Sequence, residues 1–319
     1  MSYEKAKKYI MNLGKEAPIK KRPVIIDCDP GIDDAMALML FAEFKDNFDL
    51  KLITSCAGNT PIDITTKNVQ FFASNFFNGV RIAKGSRYPL VRQKQMTAEY
   101  VHGRNGLGGY DIGEQDYPCA DDAVEAMYDV IKNSPEKITL VTLGPMTNVA
   151  KLVINHPEIK ENIEVIYSMI GSTDGTGNIT EYGEFNAYFD PEAFDIVVKC
   201  NIPMIINPMQ LGNETRIKKS SFANMPTETI KDNFVKTLAE NIHNEIDDNY
   251  IALYDPNTIV ALVKPELYEF VPCDIHVYTY PDVGGKTVMK PNENGIHKYQ
   301  FVTDKTKLNN FILKYLFKD

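Results

Sequence analysis

The stretch 23–40, PVIIDCDPGIDDAMALML, constrains the fold more than any other part of the chain. Val24-Ile25-Ile26 is a β-branched apolar run that reads as a buried strand. Ala35-Met36-Ala37-Leu38-Met39-Leu40 reads as a buried helix, with Pro30-Gly31 making the turn between the two. Four aspartates, Asp27, Asp29, Asp33 and Asp34, crowd into this junction. Like charges this close repel strongly unless something positive joins them. The carboxylates gather at the C-terminal edge of a strand, where open α/β sheets place their ligands. Asp33 and Asp34 fall at the start of the helix, where its dipole favours negative charge. All the donors are hard oxygens, which suit Ca²⁺ or Mg²⁺ better than zinc. Turn chemistry is the competing account: Asp-Pro-Gly is a common turn and Asp33 can cap the helix, but those roles cover two aspartates of the four.

Strand-like and helix-like runs alternate along most of the chain. The pattern predicts strands at 23–28, 50–56, 80–84, 138–143, 163–169 and 203–207. Helices are predicted between them at 33–44, 61–76, 121–133, 146–154 and 190–198. Helices at 228–248 and 255–263, strands near 270–279 and 297–302, and a closing helix at 305–317 follow. Such alternation predicts an α/β fold: a mostly parallel, Rossmann-like sheet with helices on both faces and an additional C-terminal strand and helix segment. The 319 residues, 44% apolar, suffice for one large domain or two small ones. Without an internal repeat, low-complexity segment or clear linker, a single domain over 1–319 is preferred. Residues 1–21 are basic and amphipathic, and Glu4 and Glu16 argue for a short surface helix over a transit peptide.

Composition narrows the partners. The formal net charge is −9 with no dense Lys/Arg block, which argues against nucleic acid. No apolar run reaches the length of a membrane span. Cys28, Cys56, Cys119, Cys200 and Cys273 are scattered, with no CxxC pair, so small buried thiols in a cytoplasmic, reducing setting are expected. Several strand ends carry polar residues with no evident packing role: Ser55 to Thr60, Thr142 to Asn148, and a Gly/Ser/Thr-rich loop from Gly171 to Glu184. Any one of these is ordinary loop chemistry, but a doubly wound fold brings them together beside the aspartates.

With these motifs the chain resembles a nucleoside hydrolase of the inosine–uridine-preferring superfamily. The likeness runs from about Pro23 to the final helix: DCDPGIDDA at 27–35, AGN at 57–59, HGRNGLGG at 102–109, LGPMTNVA at 143–150, MIGS at 169–172, GN at 177–178, EFNAYFDPEA at 184–193 and YDP at 254–256. The resemblance implies a ribonucleoside substrate and a Ca²⁺-held water activated by Asp29 as general base. It implies metal ligation by Asp29, Asp34, Asp255 and the backbone carbonyl of Leu143. Asp33, Asn59, Asn178, Glu184 and Asn186 match groups that bind ribose hydroxyls, Met169 an apolar floor under the sugar, and Asp27 an orienting carboxylate behind the ligands. Relatives form homodimers or homotetramers.

The chemistry fits these residue types. Breaking an N-glycosidic bond builds positive charge on the ribose, which clustered carboxylates stabilise. A divalent cation lowers the pKa of water, and a carboxylate then takes its proton. The sequence departs from the family at the leaving-group side. Many members carry His immediately before the last metal aspartate; here Tyr254 stands there, and an unperturbed phenol titrates near 10. The purine-specific branch stacks the base on Trp, and this chain has none. Tyr250, Tyr254, Tyr182 and Tyr188 are candidates to stack instead. His102, flanked by glycines, reads as a mobile-loop residue and a candidate for leaving-group contact. His243 reads as a helical residue, either part of a lid or simply exposed, and His156, His276 and His297 receive no role. Two rival readings stand: a non-catalytic nucleoside- or ribose-binding protein on the same fold, and a haloacid-dehalogenase-like Mg²⁺ phosphatase. The latter wants Thr or Val where Gly31 stands.

Overall fold

The computed structural model describes residues 21–92, 96–223, 225, 228–243 and 247–317. The surface helix expected over 1–21 lies, apart from Lys21, outside the described residues. The strands are β1 (Arg22–Cys28), β2 (Phe48–Ser55), β3 (Arg81–Ala83), β4 (Cys119–Ala120), β5 (Ile138–Thr142), β6 (Ile163–Met169), β7 (Met204–Asn207), β8 (Ile217–Lys218), β9 (Tyr250–Ile251), β10 (Glu269–Val277), β11 (Thr287–Pro291) and β12 (His297–Phe301). Ten of them form one sheet in the order β11-β10-β12-β7-β6-β5-β1-β2-β3-β4, with β8 and β9 a separate antiparallel pair. The sheet is parallel from β12 to β4, and β10 runs antiparallel to both of its neighbours.

The helices are α1 (Ile32–Phe44), α2 (Ile62–Asn75), α3 (Glu99–His102), α4 (Ala123–Asn133), α5 (Thr147–Asn155), α6 (Phe185–Phe189), α7 (Pro191–Lys199), α8 (Met209–Glu214), α9 (Ile230–Asn241), α10 (Tyr254–Val263) and α11 (Lys305–Leu316). The pleat of β1 sorts its side chains: Val24, Ile26 and Cys28 join one apolar cluster with α1, α2, α9, α10 and α11, and Ile25 joins another with α4, α5 and α7. Both faces of the sheet are thus covered, as the uninterrupted apolar strands require. Helix α1 is buried from Ile32 through Phe41, which explains why its sequence lacks a polar face, and α10 packs against it.

The expected architecture holds, with local differences. The helix expected over 228–248 is α9, opened by a capping box between Thr229 and Asp232 and ended at Asn241. Ile242 is extended, and the His243 N–H leaves the helical ladder to bond Val101 O at 3.2 Å. Strand β11 was not anticipated; it pairs with β10 at the sheet edge, and Val288 makes an isolated antiparallel bridge to Asp174. The DPEA half of the 184–193 motif has a packing role. Asp190 accepts bonds from Ala193 N (3.1 Å), Leu90 N (2.8 Å) and Thr147 Oγ1 (2.6 Å), and Pro191 starts α7. One buried carboxylate therefore ties α7 to α5 and to the loop after β3. Asp190→Ala is expected to cost about 2–3 kcal/mol. The measurement is a lower urea midpoint at unchanged slope; an unshifted midpoint would remove Asp190 from this role.

Candidate active site

Strand order places a crevice at one point of the sheet edge. From β1 the chain continues through β2, β3 and β4 on one side, then through β5, β6 and β7 on the other. The C-terminal ends of β1 and β5 flank this reversal, where α/β sheets bind ligands. A cavity of about 350 Å³ opens there. Its walls include Asp33, Asn59, His102, Leu143, Met169, Asn178, Glu184, Asn186, Tyr254 and Asp255, drawn from the ends of several strands and from α3, α6 and α10. Asp29 and Asp34 are fully buried behind these walls.

The carboxylates are held one by one. Asp27 accepts bonds from Thr54 Oγ1 (2.5 Å) and Asn148 Nδ2 (2.8 Å), and burial pushes its pKa up to about 7. Asp29 Oδ2 accepts the Asn59 N–H at 2.7 Å, while Asp29 Oδ1 is buried with no partner. Two glycines make room for this carboxylate: a Cβ on Gly58 would lie 2.0 Å from Asp29 Oδ2, and one on Gly144 would lie 2.2 Å from Oδ1. Gly31, not Asp33, is the N-cap of α1, and Asp34 reaches back to it. Asp34 accepts from Gly31 N (3.0 Å), Asp29 N (3.2 Å) and Asn59 Nδ2 (3.0 Å). Burial first, then the charge of Asp33, pushes Asp34 up to about 7. Asp255, in the first turn of α10, is driven well above the ordinary carboxylate range by burial and by Asp33, Asp34 and Asp29.

The neutral groups are largely committed to one another. Asn59 spends its amide on Asp34 and on the Asp29 carbonyl (3.2 Å), so it pins the acidic turn as well as lining the cavity. Asn186 Nδ2 donates to Leu143 O (2.8 Å) and Met169 O (3.0 Å), clamping the ends of β5 and β6. Glu184 caps α6, accepting from Asn186 N (3.0 Å), Ala187 N (3.1 Å) and Gly171 N (2.7 Å), yet burial still lifts it to about 7. Asn178 Oδ1 accepts the Phe185 N–H at 3.0 Å.

His102 is not on an exposed mobile loop. It ends α3, is 6% exposed, and its Nδ1 accepts the Ile32 N–H at 3.1 Å, under the N-terminus of α1. Burial lowers its pKa, partly offset by Asp33, whose Oδ1 lies 3.9 Å from Nε2. Tyr254 lines the cavity and donates its phenolic hydrogen to Asn213 Oδ1 at 2.8 Å; burial raises its pKa. Tyr182, Tyr188 and Tyr250 do not line the cavity. Lys286, Arg92 and Lys218 lie over their rings instead. Tyr100 and Asn213 line the cavity without having been singled out for it, and His243, read as either part of a lid or simply exposed, lines it as well. Asn148 and Thr54, which hold Asp27, were also missed, although Asn148 sits inside the LGPMTNVA motif.

The donor set fits a hard divalent cation. Oxygens of Asp33, Asp34 and Asp255 lie within 4.8 Å of one another, so the geometry adds Asp33 to the acids expected around an ion. The carboxyls of Asp34 and Asp255 are in hydrogen-bonding contact, which demands a proton or a cation between them. Asp27 Oδ2, Asp29 Oδ1 and Asp33 Oδ1 are buried without partners, and among the described residues no Lys or Arg is ion-paired with any of the five aspartates. Oxygen-only donors of this charge suit Ca²⁺ or Mg²⁺.

A doubly wound α/β sheet with an acid-lined cavity at its reversal point defines an enzyme class acting on small polar ligands. The sequence profile of the inosine-uridine preferring nucleoside hydrolases matches residues 24–312. The chain is 34% identical over 268 residues to the non-specific ribonucleoside hydrolase RihC of Salmonella paratyphi C, covering 83% of this chain and 87% of that one. A plant nucleoside hydrolase superposes with a TM-score of 0.85 at 25% identity, covering 93% and 99% of the two chains. A purine-preferring ribonucleoside hydrolase from Gardnerella vaginalis shares the fold, with a TM-score of 0.83 at 22% identity over 92% and 98%. The chain belongs to the inosine-uridine preferring nucleoside hydrolase family, and the dehalogenase-like reading falls.

The slot around Asp29 yields a direct test. Gly144→Ala sets a methyl group against Asp29 Oδ1 and, at 2.9 Å, against Cys56 Sγ. The expected outcome is a displaced Asp29 carboxylate in a crystal structure of the variant and a stability loss of about 1–3 kcal/mol. An unmoved carboxylate at full stability would contradict the close fit.

Proposed function

We propose that this chain hydrolyses the N-glycosidic bond of ribonucleosides, giving ribose and a free nucleobase, with Ca²⁺ as its resident ion. The observation that carries the reading is the state of Asp29. One oxygen is pinned by a backbone N–H and the other is buried, unpartnered and walled by Gly144. That is a carboxylate fixed in place with one oxygen in reserve, as a general base must be.

Asp29, Asp33, Asp34, Asp255 and the Leu143 carbonyl are the groups to hold the ion. Bound there, Ca²⁺ supplies the charge that lowers the pKa of a neighbouring water and grips the sugar hydroxyls. The residues do the rest. Asp29 accepts the proton of the attacking water. As the bond to the base stretches, positive charge spreads over the sugar ring, and the fixed acids around it are already oriented to stabilise that charge. Asp33, Asn178, Glu184 and Asn186 take the ribose hydroxyls; Glu184 Oε1 keeps a lone pair beyond its single backbone bond, while Oε2 spends both of its own on Gly171 and Ala187. Met169 packs beneath the sugar. A 2′-deoxyribose leaves such a buried acceptor without its hydroxyl, so ribonucleosides are favoured. The reading extends, on the family likeness alone, to a cytoplasmic homodimer or homotetramer.

Ribose release from a nucleoside panel tests the proposal, and tight binding with no release would favour a binding protein on this fold. Removing divalent ions with a chelator is expected to abolish turnover, and Ca²⁺ to restore it. Turnover that survives chelation would rule out the ion. Asp29→Asn is expected to lower kcat by roughly 10²–10⁴-fold with the fold intact by circular dichroism. A normal kcat in that variant removes Asp29 from the base role.

A further inference from the structure

A nucleobase leaves its sugar as an anion unless a proton reaches it, so a positioned acid on the base side accelerates the reaction. The imidazole and phenol groups in the cavity wall are those of His102, Tyr254, Tyr100 and His243. Tyr100 already has a partner, and two of the others are poorly disposed to give up a proton. His102 Nδ1 accepts the Ile32 N–H, so the ring is neutral with its one proton on Nε2, and giving that proton up would leave an imidazolate anion. Tyr254 gives its hydrogen to Asn213 Oδ1 and so presents lone pairs, not a donor, to anything else in the cavity.

His243 has neither commitment. It stands just past α9 in the cavity wall, its side chain 69% exposed, and its Nδ1 lies 3.8 Å from Asp248 Oδ1. Its own backbone N–H is fastened to Val101 O at 3.2 Å, so the segment that carries it is tied to α3, which forms the adjoining wall with Tyr100 and Val101. The charged groups around it are Asp248 and Lys219, whose ammonium reaches both Asp248 (3.0 Å) and the Ile242 carbonyl (2.6 Å). Tyr100 and His102 are the titratable groups that α3 brings to the same cavity. Histidine is the side chain that carries and releases a proton near neutral pH.

The geometry points to His243 as the acid that protonates the departing nucleobase, a catalytic residue that replaces the histidine absent at position 254. This rests on the hydrolase reading above. In the step, the water oxygen bonds to C1′ as the C1′–N bond breaks and its electron pair passes to the base. One water proton goes to Asp29, and the imidazolium N–H proton of His243 goes to a ring nitrogen or exocyclic oxygen of the base. The base leaves neutral, Asp29 releases its proton to solvent, and solvent reprotonates the exposed imidazole, so one water is consumed overall.

The test compares inosine, whose base needs a proton, with 4-nitrophenyl riboside, whose leaving group does not, on the Ca²⁺-loaded enzyme. His243→Ala and His243→Gln are expected to lower kcat on inosine at least tenfold more than on the nitrophenyl glycoside. Activity on inosine should fall in the wild type as pH rises through the imidazole titration, and that alkaline limb should vanish in both variants. Equal losses on the two glycosides, or an alkaline limb that survives, would overturn the assignment. So would selective loss of inosine turnover in Tyr254→Phe with His243→Ala unaffected. A wild-type enzyme that releases ribose from neither glycoside overturns the hydrolase reading itself, which separates that failure from this one.

Discussion

Electrostatic repulsion among buried acids is the constraint that the rest of the structure serves. Asp29, Asp34 and Asp255 are almost wholly shielded from water, and each is pushed upward in pKa by burial and by its neighbours' charge. Bringing such groups together opposes folding, and only a counter-charge or shared protons make it tolerable. The surrounding chain is arranged to hold them regardless. The N–H groups of Gly31, at the N-cap of α1, and of Asp29 bond Asp34, Asn59 supplies both backbone and side-chain donors, and glycines at 58 and 144 leave the space that Asp29 fills. A fold that maintains so much unfavourable charge at one place has organised that place for binding or chemistry.

The sheet explains why this is possible at all. Because strand order reverses beside β1, the loops after β1, β2, β5 and β6 need no long excursions to meet, and α10 brings Asp255 to the same place by packing on α1. Polar side chains then lock strand ends to each other: Asn186 spans the ends of β5 and β6, and Asn148 joins Asp27 to the Ser55 carbonyl at 2.9 Å. The hydrogen-bonded floor contrasts with the outer wall, where His243 and Tyr100 are exposed.

The sequence makes the floor of this cavity readable and its upper wall much less so. The β-branched run, turn and apolar helix around 23–40 specify β1, α1 and the acids between them through local pattern alone, and the motifs at 57–59, 184–193 and 254–256 mark the other contributors. What pattern cannot supply is side-chain direction set by tertiary packing. Glycines around His102 suggest an exposed loop, yet the imidazole is folded under α1 as a backbone acceptor. Tyr182, Tyr188 and Tyr250 carry the right chemistry for stacking and lie outside the cavity wall, while Tyr100 and Asn213 line it without a distinctive motif. The end of α9 at Asn241 depends on a bond to Val101, a partner far away in the chain, so periodicity overruns it. Likewise Asp33 looks like a capping residue in one dimension and joins Asp34 and Asp255 in three.

The placement of Asp255 on α10, opposite acids contributed by the first βα turn, has a thermodynamic corollary. An ion gripped by both would act as a removable staple between early and late segments of the polypeptide, shrinking the unfolded ensemble wherever it stayed attached and favouring the native state by mass action. Free-ion concentration would then govern how long the molecule survives heat or proteolysis as well as how fast it works.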